Sequence, residues 1–200
     1  MWRLVTFKQV FVVVGLVGIL VFSLPSLSLL WRGSKSEAFS ELYILGPGHM
    51  AEGYPFEVRA GQDYFVFVAV ADHLGSAAYY DVQVKLRNGT ESMPNATEGV
   101  PSSLPELYVF RAFAVDSETW EDTLTFRFLN VDFVGNVSRI GKIVINNLVY
   151  DVNKSVEWDA TNNGYYCQIF LELWIYDAVS SGFQYHNRFV GLWLNLTASA

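Results

Sequence analysis

Two hundred residues suffice for one ordinary domain plus a short additional segment. With 52% hydrophobic, 16% aromatic and 16% charged residues, the chain is too apolar for a disordered polymer and fits a packed core joined to an apolar segment. Residues 1–36 hold Arg3, Lys8, Arg32 and Lys35 and no acid, so nine of the 13 bases face all 20 acids in the remainder; a field of that sign repels nucleic acid and anionic headgroups and excludes nucleic acid as a partner.

The N-terminus comes first in chain order. Residues 1–8 form a short tail. Gln9 to Trp31 then runs without a charge, and at ~1.5 Å per residue it would rise ~34 Å, enough for a bilayer core. Trp2 and Trp31 bracket it as interfacial aromatics do, with Arg3 and Lys8 before it and Arg32 and Lys35 after. The expectation is a single transmembrane helix over 9–31, retained as a signal anchor in contact with membrane lipid. Its rival is a cleaved signal peptide, for which Ser26-Leu27-Ser28 offers small residues near a cleavage spacing. A polar linker over 32–38 follows.

From residue 39 to 200 the hydrophobic period is mostly two, broken by turn residues. Expected strands are Glu41–Leu45, Tyr64–Ala71, Tyr79–Leu86, Leu107–Val115, Thr123–Leu129, Ile143–Val152, Tyr165–Tyr176 and Arg188–Thr197. In Tyr79–Leu86, Tyr80, Val82, Val84 and Leu86 share one face. In Tyr165–Tyr176, Cys167, Ile169, Leu171 and Leu173 share one face, with Gln168 and Glu172 opposite. Asn88 to Leu104, rich in Asn, Gly, Pro, Ser and Thr, reads as an exposed loop. About eight strands without an amphipathic helix point to an all-β domain, an immunoglobulin-like β-sandwich, lacking the Cys-Trp-Cys signature of antibody domains. Cys167 is the single cysteine, so no disulfide forms within the chain, and its apolar setting predicts a buried, inert thiol.

Five sequons occur, at Asn88, Asn95, Asn136, Asn153 and Asn195. Chance predicts roughly one or two among the chain's Asn residues, so these are glycosylation candidates for a domain outside the membrane. Asn195 alone falls within an expected strand and must face solvent to be used.

Phe39-Ser-Glu-Leu-Tyr-Ile-Leu-Gly-Pro-Gly48 and Ala51-Glu-Gly-Tyr-Pro55 resemble the opening of a largely archaeal membrane-protein family, the domain-of-unknown-function family numbered 1616. The resemblance continues through Gly61, Val68–His73, Tyr80–Val84 and Glu118–Phe126, and returns at Phe170–Tyr176 and Tyr185–Thr197. It implies an extracytoplasmic β-domain tethered to an archaeal membrane and carries no activity with it. Family members often have several N-terminal transmembrane helices, whereas this chain has room for one, and residues 130–164 look like an enlargement of the family pattern.

Chemistry-bearing motifs are sparse. His49, His73 and His186 are too scattered for a local zinc pattern. Asp72-His73 ends a strand, where a His–carboxylate pair orients a base or ligand or, more simply, holds a turn. Glu118, Glu121 and Asp122 surround Trp120 without an EF-hand spacing. Glu157 and Asp159 flank Trp158 in the manner of a glycosidase carboxylate pair with a sugar platform, although nothing in the sequence places a substrate there. Tyr185, His186, Asn187 and Arg188 form a polar, aromatic lip on the last hairpin and are a candidate binding surface. Trp174, Tyr176 and Trp193 point outward by parity, but a buried role is expected for Trp193.

No catalytic residue, cofactor or metal site is assigned. The expected function is that of a cell-envelope interaction or structural module, single-pass, binding another envelope protein or a glycan. The alternative is an accessory subunit of a membrane enzyme or transporter, and the third reading is a cell-surface hydrolase.

Overall fold

The structure, a computed structural model, describes residues 7–31 (side chains at 7 and 9–22) and 38–198. The chain divides into two units, residues 1–38 and residues 39–200. In the first, the described side chains of α1 (Phe7–Trp31) are apolar apart from Gln9. Among the described residues no helix is long and apolar enough to cross a membrane. The expected span over 9–31 has a helical backbone; its side chains beyond residue 22, the first part of the expected tail (1–6) and most of the expected linker (32–37) lie outside the described residues.

The second unit is all-β. Its strands are β1 (Phe39–Leu45), β2 (Glu57–Arg59), β3 (Tyr64–His73), β4 (Ala78–Asn88), β5 (Tyr108–Ala114), β6 (Thr119–Val134), β7 (Val137–Ile145), β8 (Leu148–Asp159), β9 (Gly164–Asp177) and β10 (Gly182–Thr197). One face is built in the order β1-β3-β6-β7-β8, the other in the order β5-β4-β9-β10-β2. Every pairing is antiparallel except β10 with the short β2. The two faces are not separate sheets. Residues 148–157 of β8 pair with β7, and its last two residues, Trp158 and Asp159, pair with Tyr165 and Gly164 of β9. The result is one ten-stranded sheet curled on itself. The all-β expectation holds, but these pairings alone do not establish the immunoglobulin-like arrangement.

Alternation explains the core. Val66, Val68 and Val70 of β3, Leu124, Phe126 and Phe128 of β6, and Ile143 and Ile145 of β7 pack against Tyr80, Val82, Val84 and Leu86 of β4. Cys167, Ile169, Leu171 and Leu173 of β9 and Leu192, Leu194 and Leu196 of β10 complete it. The faces predicted for β4 and β9 are thus the buried faces.

Two readings need correction. The expected strand Ile143–Val152 is the junction of two strands. Asn146 and Asn147 both have positive φ (46° and 66°) and turn β7 into β8, because a two-residue hairpin matching the strand twist needs left-handed residues at both centres. The loop expected over Asn88–Leu104 carries no strand past Asn88, the last residue of β4, but the segment 89–107 is not simply exposed: it lies over the outer face of β4 and β9, burying Ser102 against Lys85 and Glu172.

Candidate functional site

A cavity of about 730 Å³ opens where β8 turns the corner from one face to the other. Its aromatic walls are Phe56, Trp158, Tyr166 and Trp193. They come from the segment before β2, the end of β8, the start of β9 and the end of β10. Phe56 is 49% exposed, Trp193 41% and Trp158 38%, so three large apolar side chains stay half in water around one hollow. Polar groups close the rim: Asn88, Gly89 and Thr90 from the end of β4, Ser155, Glu157 and Asp159 from β8, and Asn162 from the β8–β9 turn.

Each wall is fixed by its neighbours. Trp158 leaves the β7 ladder and donates its backbone N–H to Asn136 O at 2.8 Å, while its indole packs edge-on to Tyr165 with centroids 4.9 Å apart. Tyr166 donates its hydroxyl to Asn162 O at 2.6 Å and packs against Phe56. Gly164 permits that approach, since a Cβ there would lie 2.5 Å from Asn195 Oδ1 and 2.8 Å from Tyr166 Cζ. Phe56 O accepts the Asn195 N–H. Trp193 carries the Arg87 guanidinium 5.3 Å from its ring centroid. Arg87 is held by Asn88 O, Gly89 O and Gln168 Oε1 at 3.0–3.1 Å, and Gln168 lies over Gly191, where any Cβ would collide with its amide. Burial lowers the Arg87 pKa, with Glu91 opposing that shift.

The rim loop is pinned from both sides. Asn88 Oδ1 accepts from Thr90 N, Thr90 Oγ1 and Glu91 N, and Asn88 Nδ2 donates to Ser155 O at 3.0 Å. Glu91 accepts from Lys154 Nζ on β8 at 2.6 Å. Asp159 caps the β8–β9 turn, accepting from Thr161 N, Asn162 N and Asn162 Nδ2, bonds that hold its carboxyl below the usual range. Glu157 and the indole N–H groups of Trp158 and Trp193 take part in none of the described hydrogen bonds and are available to a ligand. Further along the same outer face, Glu172 accepts from Lys85 Nζ at 2.8 Å, Ser102 N at 2.7 Å and Trp174 Nε1 at 3.3 Å, while Lys85 also donates to Ser102 O.

The lip nominated from the sequence lies at the opposite end of β10. A bulge between Tyr185 and Arg188 splits it. Tyr185 pairs with Trp174, and its buried hydroxyl has no hydrogen-bond partner among the described residues; its pKa is pushed up to about 12 by burial and by Glu172. His186 turns toward Tyr80, and burial together with Arg188 lowers its pKa. Asn187 sits at positive φ beside Gly99, and Arg188 donates to Ser40 O of β1 at 3.2 Å. The four residues therefore point several ways. Asp72 and His73 diverge too: Asp72 is buried, accepting from Tyr80 Oη and Leu74 N, whereas His73 packs on Phe39. Glu121 pairs with His49 at 2.8 Å. Among the described residues no group of three or more His, Cys, Asp or Glu is placed to hold a metal ion. Cys167 is fully buried, and burial raises its thiol pKa to about 12.

The sequons divide by environment. Asn95, Asn136 and Asn153 are exposed. Asn88 is half-buried with both amide atoms engaged, and half-buried Asn195 accepts from Tyr165 N.

The pair Glu157 and Asp159 with Trp158 noticed in the sequence does line one hollow. Nothing local in the sequence marks Phe56, Tyr166 or Asn162 as walls of it. Trp193, expected to be buried, is instead on the outer face; parity with the buried Leu192 and Leu194 sends it there.

The family model described as domain of unknown function (DUF1616) matches residues 33–137. The chain belongs to the DUF1616 family. The match ends where β7 begins, so the β7–β8 hairpin, β9, β10 and most of the cavity walls lie beyond the matched part of this DUF1616 protein. No curated protein matches it. Similar solved structures include β-glucosidase from Listeria innocua in complex with isofagomine, at 12% identity and TM-score 0.43 over 82% of this chain and 17% of that one. The same enzyme in complex with glucose gives 11% identity and TM-score 0.40 over 80% and 16%. A complex of zinc 2-glycoprotein and prolactin inducible protein from human seminal plasma gives 8% identity and TM-score 0.39, over 82% of this chain and 99% of that one. The DUF1616 chain thus spans about a sixth of the β-glucosidase length. TM-scores this low assign neither a fold family nor an activity.

Proposed function

We propose that this DUF1616 protein is a membrane-anchored recognition module of an archaeal cell envelope. Its apolar N-terminal segment is a single-pass anchor, and its curled β-domain stands on the extracytoplasmic side and contacts another envelope protein or a glycan. The anchor reading is supported by the uncharged run Gln9–Trp31 with its Trp and Lys/Arg flanks. The acidic, sequon-bearing remainder supports the outward placement. We read the fold as an elaborated immunoglobulin-like module, with β1-β3-β6 against β5-β4-β9-β10 and the β7–β8 hairpin added, an order that fits Greek-key connectivity.

One observation carries the binding role: three half-exposed aromatic side chains gathered around the corner cavity. A stable surface does not concentrate large apolar groups without a partner to cover them. Crosslinking in intact membranes followed by mass spectrometry tests this. Crosslinks from residues 88–91 and 155–162 to an envelope component are expected. Recovery of the chain as a cytosolic protein without such crosslinks refutes the reading, and a stoichiometric integral-membrane enzyme or transporter in the products replaces it with an accessory-subunit role.

A further inference from the structure

We propose that the corner cavity binds a neutral oligosaccharide; this rests on the recognition role above and names its ligand class. The hollow, about 730 Å³, falls within the ~300–1,000 Å³ of ligand pockets, with room for more than one sugar ring. A pyranose ring has an apolar C–H face and a rim of hydroxyls. The cavity matches both. Phe56, Trp158 and Trp193 offer half-exposed ring surface for the C–H face. Around them stand groups that pair with hydroxyls: the Glu157 carboxylate, the indole N–H groups and the side-chain carbonyl of Asn162.

Charge decides against the other ligands that such walls could take. Glu157 and Asp159 line the hollow and no Lys or Arg among the described residues lines it, so phosphate, sulfate and uronic acids are repelled. Arg87, whose guanidinium packs on the Trp193 wall, is committed to two backbone carbonyls, Gln168 and that ring. That same guanidinium disfavours a quaternary ammonium beside Trp193, and Asp159 is tied to its turn, leaving Glu157 as the one uncommitted carboxylate for a cation. A neutral saccharide needs neither charge.

The test uses the full chain in a detergent without a sugar headgroup. Tryptophan fluorescence and calorimetry follow titration with cellohexaose, a mannose oligomer and an N-acetylglucosamine oligomer, with heparin fragments and acetylcholine as charged probes. Saturable binding of at least one neutral oligomer is expected, unchanged between low and high salt. Trp193→Ala and Glu157→Gln, both at exposed positions, should weaken it tenfold or more, and His186→Ala at the far end should not. Trp158→Ala packs on Tyr165, so its folding is checked by circular dichroism before its binding is read. Binding of a charged probe alone, binding untouched by Trp193→Ala, or no binding of any neutral oligomer overturns the proposal. If crosslinks still form at the corner in membranes, the recognition role stands and only the saccharide is wrong; if they too are absent, both fall.

Discussion

The Lys85–Glu172 pair should dominate the stability of the outer face. Their side chains are 4% and 0% exposed, under the segment 89–107. Lys85→Met leaves a carboxylate with two N–H donors and no cation, and Glu172→Gln leaves an ammonium facing neutral oxygens. An uncompensated buried charge costs about 3–5 kcal/mol. At ~2–4 °C per kcal/mol for a chain of this size, each single variant should melt roughly 6–20 °C lower. The double variant Lys85→Met/Glu172→Leu removes both charges and should cost about as much as either single alone, a coupling of about 3–5 kcal/mol. Near-UV circular dichroism melts and urea titrations of the full chain measure this, and proteolysis within 89–107 reports whether the segment lifts. Single variants that lose under ~1 kcal/mol, the worth of a surface pair, would refute the reasoning.

Other outcomes follow from the same geometry. Asn147→Val should cost ~1–2 kcal/mol because φ is 66° there, while Asn147→Gly should be close to neutral; the shift of the urea midpoint decides. Cys167 should resist thiol reagents in the native state and react on unfolding. Its folded pKa, about 12, lies above its ordinary 9.0, so the fold holds the neutral thiol while the unfolded chain ionises. That contribution is complete below about pH 9 and is lost as pH rises toward 12, at up to ~1.4 kcal/mol per pH unit. Tyr80 and Tyr185, also raised by burial, act with the same sign, so denaturant midpoints should fall on the alkaline side. Glycopeptide mass spectrometry should find the exposed Asn95, Asn136 and Asn153 modified and the half-buried Asn88 and Asn195 bare, Asn88 also because its Nδ2 is committed to Ser155 O; modification at Asn88 would require the rim loop to open.

Much of the fold was legible where burial is one-sided. Tyr80, Val82, Val84 and Leu86, and Leu192, Leu194 and Leu196, alternate because one face meets the core. The same parity placed Trp193 and Glu172 outside. What it does not convey is which outward groups are then covered: the segment 89–107 buries Glu172 and leaves Trp193 half in water. The turn at Asn146-Asn147 was hidden because the apolar residues on both sides read as one strand. β2, three residues long, has no period to detect. The cavity was legible only at Trp158, between two acids. Its other walls, residues 56, 166 and 193, meet because β10 pairs with β9 on one side and with β2 on the other, and the second of these pairings joins segments more than 130 residues apart with no local signature.

The central claim is a recognition corner held outside the membrane, and one labelling experiment tests it directly. Ala160, in the exposed β8–β9 turn beside the cavity, is replaced by cysteine; buried Cys167 stays silent, so the new thiol is the single target. A membrane-impermeant maleimide applied to intact cells should label Ala160→Cys in the membrane fraction. Labelling that appears only after lysis would contradict the account.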